Sequence, residues 1–115
     1  MAEGNDPRPI VQMSTTVSFT YNGTTQEMKL VRVGNIVTAY VPELASISMS
    51  GWSNLVLATI PSGYVPPITF RFPVVTDVSN LFMTAHDNSN LFLNNRSSSA
   101  ITTSIMASCY TWLVN

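Results

Sequence analysis

Charge is the first thing this chain is short of. Five Lys or Arg and six Asp or Glu make up 10% of its 115 residues, against roughly 25% in an average soluble domain. The formal net charge is −1. The basic residues Arg8, Lys29, Arg32, Arg71 and Arg96 are scattered. That pattern excludes nucleic-acid binding by phosphate neutralisation, which needs a basic patch. There is one cysteine, Cys109, so an internal disulfide and a cysteine-based metal site are both excluded. Lying in an apolar segment, Cys109 is expected to be a small core residue. No apolar run approaches the ~18 residues of a membrane helix, and membrane insertion is not expected. No segment keeps a helical period. The opening residues, Met1 to Pro9, lack the apolar core of a signal peptide. They read as a linker or added leader, or equally as an arm entering from a longer protein.

What the chain has instead is Ser, Thr and Asn, about a third of its residues, alongside a hydrophobic share of 45%. Neutral hydroxyls and amides replace Lys and Glu, or much of the surface is hidden against copies of the same chain. Low charge favours large subunit interfaces. The length fits one domain with a modest core.

The element around which the chain is organised runs from Gly51 to Pro67. Leu55 to Ile60 is a short apolar run that reads as a buried strand. Pro61 cannot donate a ladder hydrogen bond and ends it. Gly63 and Pro66-Pro67 then make a stiff corner. Ile68, Phe70, Phe72 and Val74 alternate with Thr69, Arg71 and Pro73, a second strand with one buried face.

Before that element, Met13 to Asn22 is a strand. Asn22-Gly23 is a type I′ hairpin signal, Thr24 to Val33 the return strand, Gly34-Asn35 the next turn, and Ile36 to Val41 a third strand. Leu44 to Met49 alternates with Ala45, Ile47 and Met49 on one side. After the corner, Leu81, Met83 and Ala85 mark one strand and Leu91 and Leu93 another, with His86 to Asn90 as the turn between them. Asn94 to Ser99 reads as an exposed loop. Ala100 to Asn115 reads as one long final strand, apolar on both faces. Turn signals recur about every ten residues, so the expected fold is all-β: an antiparallel β-sandwich or barrel of roughly eight to ten strands.

Chemistry is thinly marked. His86, the one histidine, sits beside Asp87 in a polar turn, an orienting arrangement with no nucleophile motif to serve. The six acids fall in arms or beside turns, and nothing marks a glycosidase pair. No metal-ligand spacing and no cofactor motif is present. Asn22-Gly23-Thr24 and Asn95-Arg96-Ser97 match the glycosylation sequon, and neither is read as modified. Trp52 is either a core anchor or a rim aromatic that stacks on a sugar, the core reading being favoured. Tyr64 is expected to bond its hydroxyl across the corner. The expected binding residues lie in polar loops on a rigid sheet: His86, Asp87, Asn88, Asn90, Asn94, Asn95 and Arg96.

Gly51-Trp52, an apolar strand, and then Ile60-Pro61-Ser62-Gly63-Tyr64-Val65-Pro66-Pro67 resemble a segment of the C-terminal tip domains of phage tail fibres and baseplate receptor-binding proteins. Val31-Arg32-Val33-Gly34-Asn35-Ile36-Val37 is similar to the strand, Gly-Asn turn and strand that precede that segment. Small size, a Ser/Thr/Asn-rich surface and all-β character are also similar to compact adenovirus fibre heads. Val65 stands where the phage segment often has a basic residue. The resemblance implies a homotrimeric, non-enzymatic head at the tip of a virion fibre, residues 13 to 115, with residues 1 to 12 as linker or end of the shaft. It implies attachment to a host-cell surface glycan or protein. It also places Trp52, Pro61, Gly63, Tyr64 and Pro66 in the scaffold. A purely structural trimerisation and capping role is the second expectation.

Overall fold

Two tight turns start the fold. Asn22 (φ 46°) and Gly23 (φ 81°) both take the left-handed backbone that a type I′ turn requires. They join β1 (Gln12–Tyr21) to β2 (Thr24–Val33) in an unbroken antiparallel register from Tyr21↔Thr24 to Gln12↔Val33. Gly34, with φ 60°, leads the second turn into β3 (Ile36–Val41). The structure, a computed structural model, describes residues 12–115. The linker expected at Met1 to Pro9 lies outside the described residues.

Seven more strands follow: β4 (Leu44–Met49), β5 (Ser53–Thr59), β6 (Phe70–Pro73), β7 (Leu81–Ala85), β8 (Asn90–Asn95), β9 (Ile101–Ile105) and β10 (Ser108–Leu113). One four-stranded sheet has the order β1-β2-β3-β10 and a second β5-β8-β7-β6, while β4 and β9 form a short ladder of their own. All pairings are antiparallel. The result is an all-β, sandwich-like arrangement of ten strands among the described residues.

The core is where the two large sheets turn their apolar faces to each other. Met28, Leu30, Val37, Ala39, Tyr110 and Trp112 come from the first sheet, and Met83, Leu91 and Leu93 from the second. The Phe72 ring bridges them, 5.4 Å from Tyr110 and 6.1 Å from Trp112 between centroids. Trp112 is the largest fully buried side chain, and burial of such a residue stabilises by about 3 kcal/mol.

The proline corner is built onto that tryptophan. Trp112 Nε1 donates to the Tyr64 carbonyl oxygen at 2.7 Å. Tyr64 N–H donates to Pro61 O at 3.1 Å, closing a turn whose third residue, Gly63, has φ 93°, as a type II turn demands. Arg32 donates to Gly63 O (2.7 Å), Gly34 O (2.8 Å) and Asn115 O (3.0 Å), so one guanidinium ties the corner, the second turn and the chain end together. Tyr64 and Pro66 are buried.

Several strand expectations need correction. Ala100 to Asn115 is not one strand. It breaks at Met106-Ala107 and passes from β9, paired with β4, to β10, paired with β3. Each half buries a single face, and Cys109, Met106 and Leu113 are exposed. The expected inward set on β4 also shifts. A bulge between Leu44 and Ile47, with Ser46 at φ 57°, turns Ala45 out and Leu44 in. β5 carries a second bulge between Val56 and Ala58. It buries Leu57 and Ala58 in succession and leaves Val56 exposed, so this strand is half-buried rather than buried. Ile68 lies before β6 and is exposed.

Candidate functional site

Side-chain alternation along the second sheet sends Leu81, Met83, Leu91 and Leu93 inward. Phe82 and Thr84 of β7 and Phe92 and Asn94 of β8 therefore stand on the outer face. The ladder aligns Asn54, Asn94, Phe82 and Pro73 in one row, and Val56, Phe92, Thr84 and Arg71 in the next. The two Phe rings are half-buried.

Between the rings runs a buried polar chain. Thr84 Oγ1 donates to Asn94 Oδ1 at 2.6 Å, and Asn94 Nδ2 donates to Asn54 Oδ1 at 2.6 Å. Thr84 and Asn94 are almost inaccessible, at 3% and 6%. Asn54, on the edge strand, is exposed. A satisfied chain of this kind stiffens the face from which it starts.

Basic groups surround the rings. Arg71 is exposed on β6. The Arg96 guanidinium lies 6.0 Å from the Phe82 centroid, within cation–π range. The His86 ring meets Phe92 edge-on at 5.8 Å. The one cation–carboxylate contact among the described residues is His86 Nδ1 to Asp87 Oδ1 at 2.9 Å, an ion pair only when the imidazole is protonated. Arg71 and Arg96 thus have no carboxylate of the described chain within ion-pair reach, and the outer face carries net positive charge.

The seven residues expected to bind do not form one loop cluster. His86, Asp87, Asn88 and Asn90 lie at or beside the β7–β8 turn, where Asn88 N–H meets His86 Nδ1 at 3.1 Å and Asn90 N–H donates to Asn88 Oδ1 at 3.1 Å. Asn94, Asn95 and Arg96 lie at the other end of β8, roughly 17 Å away at the rise of a strand. Asn94 and Asn95 are not loop residues. They are the last two residues of β8 and are buried, Asn95 completely. Asn95 Nδ2 donates to Ser50 O (2.9 Å) and Ser99 O (3.1 Å), and its Oδ1 accepts from Ser97 N–H (3.0 Å). Asn95 is therefore the clamp of the loop that follows it, and Arg96 is the exposed member of the trio.

Trp52 also departs from its expected place. It is 65% exposed, not a core anchor, and holds a left-handed backbone with φ 49°. Such a conformation is costly for a bulky residue. Its N–H donates to Ser97 O at 2.9 Å, so the Trp52 backbone extends the β5–β8 ladder one step and is tied to the residue that follows Arg96. Gly51 makes that approach feasible, since a Cβ there would collide with the Ser98 carbonyl. Trp52, Asn54, Arg71, Phe82, Thr84 and Phe92 are residues of this surface that sequence reasoning did not select as binding residues. The signal present in the sequence was Trp52 beside a glycine at a turn.

A separate open groove of about 550 Å³ runs between β9 and the β6–β7 connection. Its one lining carboxylate, Asp77, accepts from Thr103 Oγ1 at 2.7 Å, and Thr76 and Thr103 hydroxyls meet at 3.0 Å. No group of three or more His, Cys, Asp or Glu side chains that could hold a metal occurs among the described residues.

The chain matches no known family model, and a search of curated proteins finds no match.

Proposed function

We propose that this domain is a non-enzymatic attachment module of the viral fibre-head kind, which binds a host-surface glycan or glycoprotein through acidic groups. The supporting observation is the outer face of the second sheet, where Arg71 and Arg96 flank half-buried Phe rings without a carboxylate of the described chain to neutralise them. Arginine forks take carboxylate and sulfate oxygens in pairs. Trp52, exposed and bonded through its backbone to the residue after Arg96, adds an aromatic plane at this end of the sheet, and the Asn54 amide adds a hydrogen-bonding edge. The polar chain beneath holds the face in shape before a ligand arrives, which reduces the ordering cost of binding. In this reading the domain is homotrimeric and stands at the tip of a virion fibre, where three weak sites act together by avidity.

The second reading is a structural cap that trimerises a fibre and contacts no receptor. What favours it is the exposed apolar surface on the first sheet: Val33, Ile36, Tyr40 and Leu113. Binding of the purified domain to an array of neutral and acidic glycans, and to host cells before and after removal of surface acidic sugars, separates the two. Salt-sensitive binding to acidic glycans is expected. A stable oligomer that binds neither glycans nor cells supports the cap.

A further inference from the structure

On the outer face of the first sheet, β1 presents Gln12, Ser14, Thr16 and Ser18, while β2, β3 and β10 carry an exposed apolar cluster. Strand pairing places Leu113, Ile36 and Val33 side by side in one row, at 54%, 48% and 41% exposure. Thr111, Thr38 and Val31 form the next row, and Cys109, Tyr40 and Lys29 the third, with Tyr40 51% exposed. An apolar cluster spanning three strands marks an interaction surface. Nothing in the described chain covers it.

We infer that this face is buried against another copy of the same chain. The inference rests on the self-association in the reading above and names the surface responsible. Two observations select a second copy as the occupant. First, the face carries its own counter-charge. Lys29 and Glu27 are exposed two residues apart on β2 and therefore share this side. A neighbouring copy can set its Glu27 against Lys29, while a wholly apolar partner would leave both charges without one. Second, the size is right. The exposed side chains of the three rows amount to on the order of 500 Å² per copy, so two copies bury roughly 1,000 Å², the lower bound for a specific interface. The segment before β1, residues 1–11, has Met1, Ile10 and Val11 as its large apolar side chains, the last two adjoining β1 in sequence, and its remaining residues are Pro, Gly, Ala or polar.

Cys109 reports on this surface directly, because it is the chain's one thiol and is exposed on the same face. The experiment uses the full chain at micromolar concentration. Sedimentation velocity gives the assembly state, and the rate of maleimide labelling gives the accessibility of Cys109. The Ile36→Lys/Leu113→Lys variant alters two half-exposed positions, and circular dichroism checks that it folds. The wild type is expected to sediment as an oligomer, and the variant as a folded monomer. Cys109 is expected to label at least about tenfold faster in the variant, as mass action predicts when most chains are assembled. A single-site Tyr40→Lys variant repeats the test should the double variant fail to fold. A wild-type monomer overturns the inference and the trimer with it. An oligomer whose Cys109 labels as fast as that of the folded variant overturns the inference alone, because assembly then uses another surface.

Discussion

The Arg96 guanidinium lies over the Phe82 ring, 6.0 Å from its centroid. The two residues come from opposite sides of the same row end, Phe82 paired with Asn94 and Arg96 two residues beyond it. The ring shields one side of the cation and leaves the fork available on the other. An exposed contact of this kind contributes about 0.5–1 kcal/mol. Its larger effect is to fix where the charge stands. Phe82→Leu keeps the apolar volume and removes the π face. This variant is expected to unfold within about 1 kcal/mol of wild type while binding to acidic glycans weakens. Equilibrium urea unfolding and glycan titration on the same samples check both halves.

Trp52 separates function from stability. Its left-handed backbone costs about 1 kcal/mol for any residue with a Cβ, and its side chain is 65% exposed. Trp52→Gly is therefore expected to leave the midpoint of unfolding unchanged or to raise stability by up to about 1 kcal/mol. Glycan binding is expected to fall in the same variant. A Trp52→Gly protein that is destabilised by more than about 2 kcal/mol would return this residue to the scaffold.

Asn95 and Gly51 hold the rim in place from below. Asn95→Ala removes three hydrogen bonds, leaving Ser97 N–H without its acceptor and Ser50 O and Ser99 O with only the Ser53 and Ser97 hydroxyls as donors. A loss of about 2–3 kcal/mol is expected. Gly51→Ala drives a Cβ into the Ser98 backbone, and about 1–3 kcal/mol should be lost through the forced shift. Chemical denaturation of both variants measures this. Hydrogen exchange should show the Ser97 to Ser99 segment loosening in each.

Tyr110 gives the fold a pH signature. Its hydroxyl is buried without a hydrogen-bond partner. Burial raises its pKa above the ordinary 10.0, with the nearby Ser108 hydroxyl acting in the opposite direction and Cys109 in the same one. The folded state therefore keeps a proton that the unfolded state gives up once pH passes 10. In that window the unfolded chain binds fewer protons, so stability falls as pH rises, and below it this group has no effect. Tyr110→Phe removes both the unpartnered hydroxyl and the titration. It is expected to match or exceed wild-type stability at neutral pH by up to about 1 kcal/mol. It should also lose less stability than wild type between pH 10 and the folded pKa, which thermal melts across that range will show.

How much of this was legible in the sequence depended on whether a signal was local. Asn22-Gly23 and Gly34-Asn35 specify their turns by backbone sterics alone, and β2 and β3 run over Thr24–Val33 and Ile36–Val41 as expected. The all-β class followed from strand length and turn spacing. Asn94 and Asn95 read as a loop because Asn is a turn residue. They are buried strand residues because Thr84, Asn54 and Ser50 come from other segments, with Ser99 from the adjoining loop, to satisfy them. The final segment read as one strand because both its faces are apolar. One set of those residues enters the core, and the other, Cys109 and Leu113, stays on the surface. Hydrophobicity cannot tell these apart, since an apolar side chain left on the surface and one that fills the core have the same transfer energetics. Trp52 was misplaced for the same reason.

The most direct measurement is binding of the Arg71→Glu/Arg96→Glu protein to acidic glycans, beside wild type, at low and high salt. Both positions are exposed, so the fold is expected to survive, as circular dichroism will verify. The account predicts that wild type binds acidic glycans and releases them as salt rises, and that the reversed-charge protein, equally folded, fails to bind at any salt concentration. A folded double variant that binds the same glycans with wild-type affinity would contradict the assignment of this face.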